Sequence, residues 1–496
     1  MSETAVADNE THAGPARDPE EAQRALARIQ TLLEKQRRVE ALVHREQSPA
    51  EEKKALVEGL VHRQHLGELK AIVDRLHPAD IAYVLEALPR DDRLVVWESV
   101  KAEADGAILL EVSDAVRDTL IEVMDRAELV GAIKTLDADE IAALAESLSA
   151  DVVEEVRQGL SSEERAQLRA ALSYPDHTVG ARMDFELVTI HDDVTLEVVL
   201  RYLRRFERLP DHTDQVFVLD RNGVLRGALP LDRLLINEPD VGVHRVMQTD
   251  LLTLAPLDDV GEAAQAFERY DLVSAPVVDA AGRLIGRLTV DEVVDVIREE
   301  GEQEALALAG LREEEDLFSG VWQSAKNRWL WLAVNLGTAF FASRVIGTFE
   351  ATIEKVVALA TLMTIVMGIA GNSGNQTMTL MIRSLALGQV TSSNTRQLIL
   401  KELGIAGLNG LVWGGIAGFF AWLIYSGVPQ GPTIGMVMML AMVLNMLVGS
   451  MVGLFVPLLL QRYGRDPAMG SSVLLTFTTD SMGVFIFLGL ATMFFF

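Results

Sequence analysis

The amino-acid sequence predicts a multidomain chain in three parts: an all-α helical superhelix, an α/β tandem pair, and an all-α transmembrane domain of five helices. Three observations predict this. Residues 64 to about 172 keep a helical pattern that repeats, residues about 174 to 300 switch to β-type alternation that repeats again, and the last 176 residues hold five long apolar stretches. A length of 496 residues is also more than one ordinary domain accounts for.

Charge separates the same parts. The net charge is −28, yet from residue 321 onward nine Lys and Arg face five Asp and Glu, so the first 320 residues carry −32. That acidity speaks against nucleic acid as a partner, because phosphate binding needs Lys and Arg. It favours cations. With no Cys there is no disulfide framework and no thiolate metal site, and the remaining oxygen donors suit hard cations such as Mg²⁺ or Ca²⁺. The opening residues show no basic stretch followed by an apolar one, so the first 320 residues are expected to stay in the cytosol. No phosphate loop, nucleophile elbow or H-E-x-x-H is present, and no enzyme is expected.

Residues 1 to about 18 are polar, with Gly14 and Pro15, and read as disordered. Apolar residues at helical spacing from Ala25 to Val43 then predict an amphipathic helix. In the helical part, Leu76 to Leu88 (LHPADIAYVLEAL) returns as Leu136 to Leu148 (LDADEIAALAESL), with a weaker echo from Leu110. Short helices cannot bury an apolar face alone, so they should stack as a superhelix. Further on, Val216 to Gly227 (VFVLDRNGVLRG) is matched by Pro276 to Gly286 (PVVDAAGRLIG), each giving strand, turn glycine, strand and helix. An acidic connector follows. Between Asp291 and Asp316 there are 11 acids and two bases, and Asp291 with Asp295, Asp295 with Glu299, and Glu300 with Glu304 are like-charge pairs at i,i+4. Each costs a helix roughly 0.2 to 0.5 kcal/mol, so bound cations or solvent counterions should neutralise them.

Five membrane spans are expected: Trp329 to Ile346, Val356 to about Leu385, Ile405 to Tyr425, Ile434 to Leu460 and Ser471 to Phe496. Lys326, Arg328, Arg383, Arg396, Lys401, Arg462 and Arg465 fall on the side of the acidic part, leaving Arg344 and Lys355 near the opposite loop. The positive-inside rule then places the N-terminal domains in the cytosol and the C-terminus outside. The second span meets three amides in five residues, Asn372, Asn375 and Gln376, and the last contains Asp480 among Thr476, Thr478, Thr479 and Ser481. An unpartnered carboxamide in hydrocarbon costs roughly 2 to 7 kcal/mol. Asp480 falls about 14 Å along its helix at ~1.5 Å per residue, inside a core roughly 30 Å thick. An ionisable group there points to function. Five spans poorly enclose a path, and a symmetric homodimer with its polar elements on the axis is the simplest remedy. Gly368, Gly371 and Gly374, at three-residue intervals, fit either close helix packing or a pore.

Two resemblances bear on this. The pair from 174 to 297 resembles a tandem of CBS domains, whose members often bind adenine nucleotides; this implies Thr289 and Asp291 as nucleotide contacts, with ATP as a cofactor. The whole chain is similar to the MgtE family of bacterial magnesium channels, on G-N-S-G-N-Q from Gly371 to Gln376, Lys401-Glu402, Asp466-Pro-Ala and the T-T-D ending at Asp480. The resemblance implies residues 1–63 as a flexible N-terminus and amphipathic helix, 64–173 as a helical N domain, and 174–240 and 241–297 as CBS copies. It also implies 298–325 as a plug helix and 326–496 as the five-helix membrane domain. A homodimer in the bacterial cytoplasmic membrane is implied, with Asp480 facing hydrated Mg²⁺. Asn375 and the backbone at Gly371 and Gly374 would contact its water shell, and Asp466 would lie near the cytosolic mouth. Regulatory Mg²⁺ is implied at Asp139, Asp259, Asp271, Glu292, Asp295, Glu300 and Glu304, closing the pore when cytosolic Mg²⁺ is plentiful. Thr364 and Gln303 depart from the family pattern, which carries Pro and an acid there. Two alternatives stay open: a broader Co²⁺ or Mn²⁺ transporter, and a membrane-anchored nucleotide sensor without transport.

Overall fold

The computed structural model describes residues 19–45, 64–309, 311, 318–386, 389–391, 393–468 and 470–496. The disorder expected of residues 1–18 and the acids Glu313, Glu314, Glu315 and Asp316 lie outside them. The chain divides into two units, Met1–Glu300 with Glu314–Ser319, and Gly301–Glu313 with Gly320–Phe496.

The first unit begins with helix α1 (Pro19–Arg45), followed by α2 over residues 64–73 and a run of short helices. These are α3 (Pro78–Glu86), α4 (Arg90–Trp97), α5 (Asp105–Glu111), α6 (Asp114–Ile121), α7 (Arg126–Ile133), α8 (Ala138–Leu144), α9 (Ala150–Gly159) and α10 (Ser162–Ala171). Each is too short to be stable alone. One core joins them, with Ile29 of α1, Leu85, Ile108, Leu120, Ile133 and Leu144 each fully buried. The repeat has a polar signature as well. Arg93 is fully buried and donates to the carbonyls of Leu85 (2.8 Å) and Leu88 (3.1 Å) at the end of α3. Arg117 does the same after α5, donating to Leu109 (2.7 Å) and Val112 (3.0 Å). The last carbonyls of a helix lack intrahelical partners, and each arginine supplies them from the helix that follows.

The α/β pair follows a short α11 (Val179–Arg182). Its first half has β1 (Thr189–His191), α12 (Leu196–Leu203), β2 (Gln215–Leu219), β3 (Leu225–Pro230) and α13 (Leu231–Ile236). Strand β1 pairs parallel with β2, and β2 antiparallel with β3. After α14 (Val243–Val246), the second half has α15 (Val260–Tyr270), β4 (Ser274–Val278), antiparallel β5 (Leu284–Thr289) and α16 (Val290–Ala309). Leu254 bridges parallel to Val277, which repeats the β1 position. The two turn glycines, Gly223 (φ +78) and Gly282 (φ +75), adopt the left-handed conformation that only glycine takes at no steric cost. They meet head to head. Leu225 N donates to Gly282 O (3.0 Å) and Leu284 N to Gly223 O (3.2 Å), a reciprocal pair relating the halves by a pseudo-twofold axis.

The membrane unit has long helices α17 (Val321–Gly347), α19 (Ala358–Ala386), α20 (Thr395–Ile424), α21 (Gly431–Arg462) and α22 (Ser471–Phe495), with a short α18 (Glu350–Lys355) between the first two. Among the described residues, four of the long helices are apolar enough to cross a membrane by composition. The fifth, α19, carries the amides Asn372, Asn375 and Gln376. Glycines set the helix spacing. A Cβ at Gly449 would stand 2.7 Å from Ala370 O, and one at Gly414 3.0 Å from Met439 O, so α19, α20 and α21 touch backbone to backbone. Helix α17 packs on α22 through Phe341 with Phe477 (5.2 Å), and through Trp331 against Gly470.

Candidate functional site

Two polar stripes lie side by side in the membrane unit. On α19, Asn372, Asn375, Gln376 and Thr379 are all exposed, at i, i+3, i+4 and i+7, which is one helix face. The opposite face, with Val366, Ala370, Gly374, Thr377 and Met378, is buried. On α22, which packs on α19, Ser472, Thr476 and Asp480 follow at i, i+4 and i+8 and are half-buried or exposed. Among the described residues, none buries the α19 stripe, and the α22 stripe is only half-covered. Carboxamides and a carboxylate left against hydrocarbon would be costly, so this surface must meet water, an ion or more protein.

The expected pore residues are distributed unevenly. Asn375 and Asp480 are on the open stripes, and a Cβ at Gly371 would lie 3.5 Å from Thr479 Oγ1, in ordinary contact with α22. Gly374 lies off the stripes. It is buried between α19, α21 and α22, where a Cβ would stand 2.7 Å from Leu475 and 2.8 Å from Gly449 O, so its smallness serves packing. An unbroken helix runs through Gly371 and Gly374, so each carbonyl there makes its intrahelical bond and keeps one lone pair for a further donor. Asp466 is exposed and accepts from Ala468 N (2.8 Å), shaping the turn into α22.

The sequence reading gave no structural role to three groups that the fold brings into contact with other elements. Asn445 of α21 is fully buried. Its Nδ2 donates to Val366 O of α19 (3.2 Å) and Thr479 O of α22 (3.3 Å). The signal was present, an amide within the Ile434 to Leu460 span. Glu402 of α20 is buried and accepts from Thr377 Oγ1 (3.2 Å), while Ser450 Oγ lies 3.4 Å from the same hydroxyl. Arg182 is the third. It donates to Glu299 (2.7 Å) and lies 3.9 Å from Glu292, from more than 100 residues away in sequence.

Among the expected regulatory acids, Asp139 sits in the first turn of α8, where burial first and the charge of Asp184 second push its carboxyl up to about 8. Burial raises Asp137, Glu140 and Glu186 as well, each with Asp184 adding to the shift. Glu292 is pushed up to about 7 by burial, against the lowering effect of Arg182. Asp259 caps α15 by accepting from Glu262 N (3.0 Å), and a Cβ at Gly261 would run into Glu300 Oε1 and lie 3.2 Å from Asp259 Oδ1. Asp271 ends α15 in the left-handed conformation (φ +52), and Asp295 lies 3.8 Å from Arg298. The Glu304 side chain lies outside the described residues. No three acids or histidines among the described residues converge on a common point. Pairs remain adequate for Mg²⁺, which keeps several waters and takes one or two carboxylates. Thr289 is buried at the end of β5, and Asp291 is exposed with His212 Nε2 3.6 Å away.

Long apolar helices bearing internal amides and an acid, joined to a helical superhelix and a CBS pair, define a multi-span membrane transport protein. The model of the MgtE family, described as a divalent cation transporter, matches residues 363–490. That of the MgtE intracellular N domain matches 76–177, and that of the CBS domain 243–299. The magnesium transporter MgtE of Thermus thermophilus is 31% identical over 323 residues, covering 64% of this chain and 70% of its own. That of Bacillus subtilis is 25% identical over 427 residues, covering 86% and 94%. A solved structure of the cytosolic domain of the Mg²⁺ channel MgtE in complex with ATP is similar at 26% identity and a TM-score of 0.43, covering 49% of this chain and 98% of that one. The chain belongs to the MgtE family of divalent cation transporters.

Proposed function

We propose that this protein conducts Mg²⁺ into the cell across the cytoplasmic membrane as a homodimer, and that cytosolic Mg²⁺ closes it. The observation that carries this reading is the pair of polar stripes on α19 and α22, exposed or only half-buried among the described residues. Facing a second copy across a twofold axis, they would line one path with two Asp480 carboxylates and the Asn372, Asn375, Gln376 faces. Mg²⁺ gives up water reluctantly, so a path made of carboxylate and carboxamide oxygens, which hydrogen-bond the water shell, suits a hydrated ion. The basic residues flanking α17 and α19 to α22 favour an orientation with the acidic domains in the cytosol.

Closure follows from the acids. At low Mg²⁺ the faces bearing Asp139, Asp259, Asp271, Glu292, Asp295 and Glu300 repel one another. Mg²⁺ removes that repulsion and favours the packed state by its higher affinity for it. Ala307, near the end of α16, packs against Met378, Ile382, Ala468 and Leu475 of the membrane unit, which is where a closing helix would act. Asp291, with Thr289 behind it, is the candidate nucleotide contact. The test is Mg²⁺ uptake into proteoliposomes. Asp480→Ala should abolish uptake and leave a folded protein, and Asp271→Ala with Glu292→Ala should raise the Mg²⁺ needed for closure. Uptake unchanged by the first, or a closure curve unchanged by the second, counts against the corresponding half of the reading. Competition by Co²⁺ and Mn²⁺ in the same assay decides the selectivity.

A further inference from the structure

The carboxamide of Asn445 lies at the junction of three helices, 0% exposed, where a leucine would fill the same space without desolvating a polar group. Its Nδ2 bridges the carbonyl of Val366 on α19 to that of Thr479 on α22, and its Oδ1 has no hydrogen-bond partner among the described residues. The Thr479 carbonyl belongs to the peptide bond that begins Asp480. One helical turn further on, Gly483 provides the notch for the carboxamide, and a Cβ there would overlap Nδ2. A helix turns roughly 100° per residue, so any slip of α22 against α21 swings Asp480 off the α19 stripe. The bridge opposes that slip.

We propose that Asn445 is a positioning residue for transport: its two hydrogen bonds, keyed into Gly483, fix the rotation of α22 so that Asp480 faces the amide stripe of α19. This rests on the reading of Asp480 as the pore acid. A residue that only packs helices would change the amount of folded protein. One that aims Asp480 changes how well the path holds the hydrated ion, and so shifts the Mg²⁺ concentration at half-maximal uptake.

The test measures Mg²⁺ uptake into proteoliposomes per unit of folded full-length protein, across Mg²⁺ concentrations, for wild type, Asn445→Ala, Gly483→Ala, and Asn445→Ala with Gly483→Ala. The double variant refills the space but restores no hydrogen bond. Asn445→Ala and the double variant should both raise the half-saturating concentration roughly tenfold, the scale of losing one or two buried hydrogen bonds. Recovery of the wild-type value in the double variant overturns the proposal, since the carboxamide then only fills space. Where Asn445→Ala does not fold, Gly483→Ala keeps the carboxamide but displaces it, and an unchanged half-saturation there overturns the proposal equally. Asp480→Ala separates the two levels: full uptake in that variant sinks the pore reading itself, whereas lost uptake beside unaltered Asn445 variants sinks only the positioning role.

Discussion

Replacing Asp480 by Asn isolates the electrostatic part of conduction. Asp480 is half-buried on α22, and no described residue hydrogen-bonds its carboxylate, so the isosteric amide should leave helix packing intact. What is lost is attraction to a dication held through its water. A carboxylate oxygen bonded to a water on Mg²⁺ lies about 4.5 Å from the ion, from a metal–water distance of ~2.1 Å and a hydrogen bond of ~2.7 Å. Coulomb's law then gives about 2 kcal/mol per carboxylate for a divalent ion in bulk-like dielectric and about 7 kcal/mol at an effective dielectric of ~20. Even the weaker limit is roughly a twentyfold effect. Uptake by Asp480→Asn at subsaturating Mg²⁺ should therefore fall at least roughly twentyfold, with thermal stability in detergent close to wild type. The assay is initial Mg²⁺ influx into vesicles with a trapped fluorescent indicator. Influx within twofold of wild type would mean that the carboxylate does not face the ion.

Other expectations concern the rest of the chain. Arg182→Gln removes an internal cation from Glu292 and Glu299, so closure should occur at roughly two- to fivefold lower Mg²⁺, the scale of a partly exposed ion pair; a curve moved toward higher Mg²⁺ contradicts this. Gly453→Ala would drive a methyl into Gly374 O and should cost about 1 to 3 kcal/mol by overpacking, seen as a lower melting temperature, whereas Gly407→Ala meets nothing within 4 Å and should be neutral. Asp105 is buried, and burial first, then Glu128 and Glu103, pushes its carboxyl up to about 6 from 3.8. Its folded form thus holds a proton that the unfolded form releases earlier, and its contribution, complete below about pH 4, is lost as pH rises through about 6. Asp105→Asn should match wild type near pH 4 and exceed it at pH 7.5 by up to about 3 kcal/mol; a difference between the two that does not vary with pH removes the basis for this.

Much was legible in the sequence because its signals are local. Period and repeat announced the superhelix and the paired α/β halves, and the long apolar runs announced the membrane helices. Amides between Asn372 and Gln376, and an acid at Asp480, stand out wherever apolar residues surround them, since the cost of burying them does not depend on the fold. Asn445 carried the same kind of signal, but a lone amide does not reveal which carbonyls it will meet. Tertiary structure decided the rest. Only packing shows that Gly374 is sealed between helices while Asn375, one residue on and about 100° round the helix, faces outward. Only the fold brings Arg182 onto Glu292 and Glu299, or sets Asp184 beside Asp139. Composition determined that this chain would seat oxygen donors within apolar helices and carry a separate acidic part. Which donors face a common path, and which acids are already answered by a cation of the protein's own, depends on distances between residues remote in sequence, and those exist only once the helices have packed.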